Sequence, residues 1–540
     1  MTVSVNRRGQ EILYSYNPRG QIISQINPDT VVPIEYTYDA RGNLATVTDA
    51  NGTIALEYDT SDRLTQITYP NGRFLAYTYD AGDRRTSLTD QDGNIVNYAY
   101  DDAGRLASLT DGTGNLIVSY QYDDVGRLAS EDKGNGTYTE YSYDLAGQLL
   151  SINNFAPDAT LNSSSVYTYD ALGRQISLST LDGEWTYGYD ATGQLTSADF
   201  ISTNPDIPDQ SLTYAYDAAG NRITTTENGS SVDYTTNNLN QYTDVNGFEY
   251  QYDADGNLVS KTTDEGIFLY GYNSENQLIS VTSPDGTLTS YEYDPFDNRI
   301  ASVVDGERTE YLVDPFGFGD VVGEYDADGD LIASYTHGLG LESITNAEAS
   351  FFYDFNATGS TVGLTDGSGG VVNSYFYSPF GKDIAETEAV VNPFEFVGQF
   401  GVAEEANGLD FMRARFYDSD TGRFISLDPI GLEGGDTNLY RYVNNSPISI
   451  TDPSGTYAFL YYLYPIVVNG VRIAATAIAR ATPNIVRGIG SSASQFANSP
   501  VGQNVIASEL LYVGLTPYDK LSPGGFIGNG VGGAFGGYSS

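Results

Sequence analysis

The chain has 540 residues, a formal net charge of −46, 59 glycines and 45 tyrosines, with one histidine, two methionines and no cysteine. The missing cysteines exclude a disulfide framework and thiolate metal sites, and His337 alone cannot build a zinc site, so no metal and no cofactor is expected. So acidic a surface makes nucleic acid an unfavourable partner for the main body, and the wealth of aromatic and turn residues over helix formers predicts β structure.

The N-terminal stretch MTVSVNRRGQEILYSYNPRG already reads as a repeat unit, with no apolar core or cleavage site of a signal peptide. An array that starts inside a repeat needs a cap, which leaves two expectations: a second chain closes its N-terminal end, or the capping material was lost. The repeating signature is Tyr-x-Tyr-Asp, seen at Tyr36–Asp39, Tyr77–Asp80, Tyr98–Asp101, Tyr120–Asp123, Tyr141–Asp144 and Tyr167–Asp170, and it continues through Asp190, Asp217, Asp253 and Asp294. Its period is about 21 residues, and each period holds two strand patterns and two turns. The two tyrosines of each pair fall on one strand face, and the Asp starts a turn in which Gly82, Gly104 and Gly126 are expected at positive φ or at tight approaches.

A lone hairpin is marginal in water, so the units must stack into one continuous twisted sheet. The pairs Asp253/Asp255 and Asp326/Asp328 lack the spacing of a calcium loop and read as turn residues. An exposed tyrosine ladder suits carbohydrate, whereas a buried one is the commoner strand-face use.

After residue 375 the pattern changes. Asn392–Phe400, Arg413–Asp418, Thr421–Phe424, Asp428–Leu432 and Asn438–Tyr442 follow one another as short, ordered motifs, and Pro447–Thr456 closes them with Pro-Ile-Ser-Ile-Thr-Asp-Pro-Ser-Gly-Thr. The repeats resemble the rearrangement-hotspot (Rhs) or YD-repeat family, and these motifs resemble the Rhs-associated core. That resemblance implies an all-β fold in which tandem hairpins coil into a spiral sheet or shell, with a core plug at the C-terminal side. The expected organisation is a repeat array over 1–375, a core domain over 376–456 and a variable tail over 457–540.

The resemblance further implies a core that cuts itself once, in cis, as an aspartyl protease, with Asp428 and Asp452 as the carboxylate pair and Arg415 as the orienting cation. The cut falls between Thr456 and Tyr457, Thr456 standing where the family pattern has Leu. The residues read by themselves leave a second meaning open, since Asp-Pro is an ordinary turn starter.

The tail differs in kind: residues 457–540 carry a net charge of +2 against −48 for the remainder. Its first part is apolar and partly helical in composition, but Pro465, Asn469 and Arg472 interrupt it before a membrane span accumulates. With no histidine or cysteine it offers no histidine nuclease, zinc enzyme or cysteine protease.

Two functions follow. The first is a container of the toxin-delivery type, secreted or at the cell surface, that holds its own C-terminal tail as cargo. The second is a surface-displayed adhesive array that binds carbohydrate or protein, with the core as an end cap.

Overall fold

The computed structural model describes residues 1–317 and 319–457; the tail expectations for residues 458–540 lie outside them. Apart from Pro18–Gln21, these residues belong to one compact unit. From Thr2–Val5 to Asp383–Thr387, 37 successive strands pair antiparallel, each with the next along the chain. No helix occurs among the described residues before Gly398, and the strand ladder continues past residue 375 through Asp383–Thr387, which pairs with Val371–Tyr377.

The signature has a mechanical meaning that one repeat illustrates. In strand Ile95–Tyr100 the first tyrosine, Tyr98, is buried, Ala99 is exposed and Tyr100 is half-buried, so both rings face the same side. The ladder to strand Leu106–Asp111 slips between Ala99 and Tyr100, placing Leu106 opposite Tyr100 in a β-bulge. A bulge leaves a backbone carbonyl without its ladder donor, and here the next repeat supplies one: the Tyr122 hydroxyl donates to the Leu106 carbonyl at 2.7 Å. The same bond recurs from Tyr79 to Leu64, Tyr143 to Leu128 and Tyr293 to Leu278.

The aspartate and arginine complete the joint. Asp101 Oδ1 accepts the amides of Ala103 and Arg105, while Oδ2 takes the Arg105 guanidinium at 2.7 Å, whose Cζ lies 4.2 Å above the Tyr122 ring. Tyr, Asp, Gly, Arg and Leu thus form a clasp between consecutive hairpins.

The turn needs its left-handed residue three places after the Asp, filled by Gly104 at φ 83° and Gly126 at φ 91°. Gly82 meets the expectation by its second alternative: it stands two places after Asp80, and Asp83 takes the left-handed position at φ 64°. The Gly82 position is still close, because a β-carbon there would stand 3.3 Å from Asp80 Oδ1.

The ribbon also returns along itself, with side chains of the first 170 residues meeting partners 190 to 268 residues further on. Tyr77 donates to Asp314 at 3.0 Å, Tyr120 to Glu342 at 2.6 Å, and Lys133 to Asp354 at 2.5 Å. Asp255, one of the four aspartates read above as turn residues, takes the Arg8 guanidinium at 2.5 Å. Between these contacts Leu75, Leu109, Val118 and Leu128 of the first pass pack with Leu312, Val322 and Tyr325 of the second. The tyrosine ladder is therefore largely core; Tyr36, Tyr77, Tyr120, Tyr167 and Tyr291 are all buried.

The residues from 392 onward form a separate small sheet, Ala403–Glu404, Asp410–Met412, Arg415–Asp418 and Arg423–Phe424, around a core of Phe396, Phe400, Met412, Tyr417, Phe424 and Tyr442. This plug packs Leu409, Phe411, Phe416 and Ile425 against Tyr234, Tyr250, Tyr270 and Tyr291 of the array. Buried ions fasten it further: Arg299 pairs with Glu405, and Lys261 with Asp418 at 3.0 Å.

Candidate active site

Strand Arg415–Asp418 presents Arg415 into the interior of the plug, where its guanidinium lies flat on Phe424, 3.4 Å from the ring centre. Only 3% of that side chain is exposed. A buried guanidinium needs acceptors for its donors, and each of the three nitrogens of this one has at least one. Nε donates to the Gly455 carbonyl at 2.5 Å and Nη1 to the Leu439 carbonyl at 3.0 Å. Nη2 lies 3.2 Å from Asp452 Oδ2 and 3.4 Å from Asp428 Oδ2.

Both aspartates open turns, as their Asp-Pro dipeptides dictate. The Asp428 carbonyl accepts the Gly431 amide at 3.0 Å and its Oδ1 the Ile430 amide at 3.0 Å; the Asp452 carbonyl accepts the Gly455 amide at 3.2 Å. Asp428 uses one carboxylate oxygen in its turn and Asp452 its backbone carbonyl, and each leaves Oδ2 on Arg415, so the structural and chemical readings of Asp-Pro coexist in the same residues.

The remaining oxygen of Asp452 touches the segment expected to be cut. Its Oδ1 accepts the amides of Thr456 and Tyr457, each at 3.1 Å, and the Ser454 hydroxyl at 3.0 Å. The Tyr457 nitrogen belongs to the Thr456–Tyr457 peptide bond, so an acidic group sits on the leaving side of that bond. Asp428 approaches from elsewhere: a β-carbon at Gly434 would stand 2.8 Å from Asp428 Oδ2 and 3.3 Å from the Thr456 carbonyl oxygen, so the acid and the carbonyl border one spot that only glycine leaves open.

Burial holds the Asp428 carboxyl above the ordinary carboxylate range, with Asp452 and Asp436 adding to the effect of burial against Arg415 and the Ile430 amide. Burial also pushes the Arg415 guanidinium below its usual value, opposed by Asp452 and Asp428. Two ionised acids on one cation would leave a net negative triad in a desolvated place, in line with the direction of the Asp428 shift. Access is graded along the segment: Gly455 is buried, Thr456 half-buried and Tyr457 exposed.

The structure thus brings together Asp428, Asp452, Arg415, Thr456 and Tyr457. It adds participants that sequence reasoning did not single out. Ser454 bridges the acid and Thr456, whose hydroxyl lies 2.9 Å from it; Phe424 floors the guanidinium, and Gly434 leaves the acid open to the carbonyl. Ser454 lies inside the closing Asp-Pro-Ser-Gly and Phe424 inside Thr-Gly-Arg-Phe, but nothing local in either motif marks the contact. As for metals, the carboxylates of Asp383, Glu395 and Glu404 lie within 4.8 Å of one another, the one such group among the described residues.

Comparison with known proteins fits this architecture. A Teneurin YD-shell model matches residues 167–448, and an RHS repeat model matches 16–54, 58–95, 86–116, 100–137 and 122–156. The chain is 33% identical over 262 residues to the tRNA3(Ser)-specific nuclease WapA of Bacillus spizizenii, a match covering 46% of this chain and 11% of that protein. It is 28% identical over 331 residues to double-stranded DNA deaminase toxin A of Burkholderia cenocepacia, covering 54% and 22%. With toxin subunit YenC1 of Yersinia entomophaga it shares 28% over 400 residues, covering 60% and 41%. The matches therefore span less than half the length of each relative. Among solved structures, TcdB2-TccC3 superposes with a TM-score of 0.71 at 20% identity over 84% of this chain and 27% of that one. The Photorhabdus luminescens Tc holotoxin pore gives 0.71 at 20% over 85% and 26%. At that identity the likeness is one of fold.

Proposed function

Because the chain belongs to the RHS/YD-repeat, Teneurin YD-shell family, we propose that it is the shell-and-plug portion of a toxin-delivery protein that encloses the segment after Thr456 and cuts it free by aspartyl self-cleavage. The observation that carries this reading is the contact of Asp452 with the Tyr457 amide while Arg415 ties Asp452 to Asp428. The change of charge at Tyr457 supports it from the sequence side, since the residues on either side of the cut differ in sign.

In the proposed step a water adds to the Thr456 carbonyl carbon and gives a proton to one carboxylate of the pair. Asp428, which burial favours in its protonated form, polarises the carbonyl oxygen; Asp452 passes a proton to the Tyr457 nitrogen as the C–N bond breaks. The products are a carboxylate on Thr456 and an amine on Tyr457. Arg415 holds both acids in place and, through Gly455, fixes the peptide that carries the bond.

The relatives support the delivery setting. Several are toxins or nucleases by name, and one solved relative, TcdB2-TccC3, is described with and without a hypervariable C-terminal region. A second chain that closes the N-terminal side would complete an enclosure, and delivery places the protein outside the cell that makes it.

The test is size-exclusion chromatography under native conditions followed by a denaturing gel of the same peak. A single native species that separates into a shell and the 84 residues after Thr456 fits both cleavage and retention. A single band on the denaturing gel counts against cleavage, and a tail that leaves the shell under native conditions counts against enclosure.

A further inference from the structure

At the seam between array and plug, away from the acid pair, three guanidiniums converge on a small pocket lined by Gly220, Arg222, Tyr242, Gly422, Arg423 and Arg441 together with Asn221, Asn438 and Asn445. None of the nine lining residues is acidic, in a chain of net charge −46. Arg441 has its own counter-ion, Asp436, at 2.7 Å. Arg222, from strand Arg222–Glu227, and Arg423, from strand Arg423–Phe424, have none among the described residues, although they are only 4% and 5% exposed.

The aromatic rings around them satisfy the flat faces and leave the edges. Arg222 lies 4.1 Å over Phe380, and Arg423 4.0 Å over Tyr242. Arg423 Nη2 donates to the Asn240 carbonyl at 2.6 Å, but Nε and Nη1 of Arg423 and Nε and Nη2 of Arg222 are buried with no acceptor. Unmatched donors on buried cations are expensive, and a water would answer some of the hydrogen bonds but none of the charge. Tyr242 is not the missing anion, since burial keeps its hydroxyl above the ordinary phenol value against the pull of Arg423 and Arg222.

The place is built rather than accidental. A side chain at Gly422 would collide with the Arg222 guanidinium, and one at Gly220 with that of Arg441, so each partner carries a glycine where the other inserts its arginine. About 10 Å³ of the cavity is open to the centre of a water-sized sphere, room for one monatomic particle. That suits a halide and excludes phosphate or an organic acid.

We propose that Arg222 and Arg423 hold one small monovalent anion, of chloride size, which locks the plug to the array. The site is independent of the cleavage reading, because none of its residues touches the acid pair. Crystals of the full chain soaked in bromide test it on the unmodified protein: an anomalous peak in this pocket, in contact with both guanidiniums, is expected, and an uncharged water without anomalous signal there overturns the proposal. In solution at constant ionic strength, replacing gluconate by chloride should raise the thermal midpoint of the full chain, and Arg423→Gln should abolish that rise. Equal midpoints in the two salts for the unmodified chain would also overturn it.

Discussion

Lys133→Met probes the contact between the two passes of the ribbon. Lys133 and Asp354 are 221 residues apart, their side chains are each 3% exposed, and the ammonium also donates to the Tyr353 carbonyl at 2.6 Å. Methionine nearly matches the volume of lysine but leaves a buried carboxylate and a buried carbonyl without a donor, which costs about 3–5 kcal/mol. Replacing both residues, as Lys133→Met with Asp354→Leu, removes the stranded charge and should restore most of that loss. A repeat array does not unfold in two states, so the assay is local hydrogen exchange, residue by residue. In the single variant the amides of Leu128–Lys133 and of Ser350–Phe355 should exchange faster by roughly a hundred- to a few thousand-fold, the ratio those energies imply. Acceleration confined to Leu128–Lys133, with Ser350–Phe355 unchanged, would refute the stacking of one pass on the other.

Three further outcomes follow from other contacts. Tyr122→Phe removes the donor to the Leu106 carbonyl and should weaken that clasp by about 1 kcal/mol, read as faster exchange of Leu106–Asp111; no change there would deny the bulge its inter-repeat role. Burial with Glu131 nearby pushes the Glu342 carboxyl up to about 8 from an ordinary 4.5, so the folded state binds its proton more tightly. The stability this gives is complete below about 4.5 and is lost as pH rises through about 8, so the thermal midpoint should fall between pH 5 and 9 more in the unmodified chain than in Glu342→Gln; parallel profiles would contradict it. Thr456→Leu removes a hydroxyl that lies 2.9 Å from Ser454, itself bonded to Asp452, and should speed cleavage at the same bond, measured as the rate of fragment appearance; a slower rate would make the hydroxyl a helper.

The repeat architecture was legible because its information is local: a turn Asp, an Arg, Asn or Gln four places on and alternating tyrosines recur through most periods. Why Tyr100 and Tyr122 are tyrosines was not, because the bulge carbonyl they serve belongs to the preceding repeat. Which residue takes the left-handed position was not legible at Gly82, because the turn counts three places from Asp80 and so puts Asp83 there. The strand Asp383–Thr387 carries no Tyr-Asp signature and so escaped the pattern. At the site, Asp428, Asp452 and Arg415 came from motif resemblance, whereas Gly434 and the Leu439 carbonyl act through position alone and leave no mark in composition. Arg222 and Arg423 read as ordinary repeat and motif residues until the plug is laid against the array.

The central claim is that the Thr456–Tyr457 bond is cut by the acid pair, and intact-mass spectrometry of freshly purified protein tests it most directly. The unmodified chain and Thr456→Leu should each give two polypeptides broken after residue 456, while Asp452→Asn remains one species near 58.4 kDa. A single uncut species in both the unmodified and the Thr456→Leu chains, or a broken Asp452→Asn chain, contradicts the account.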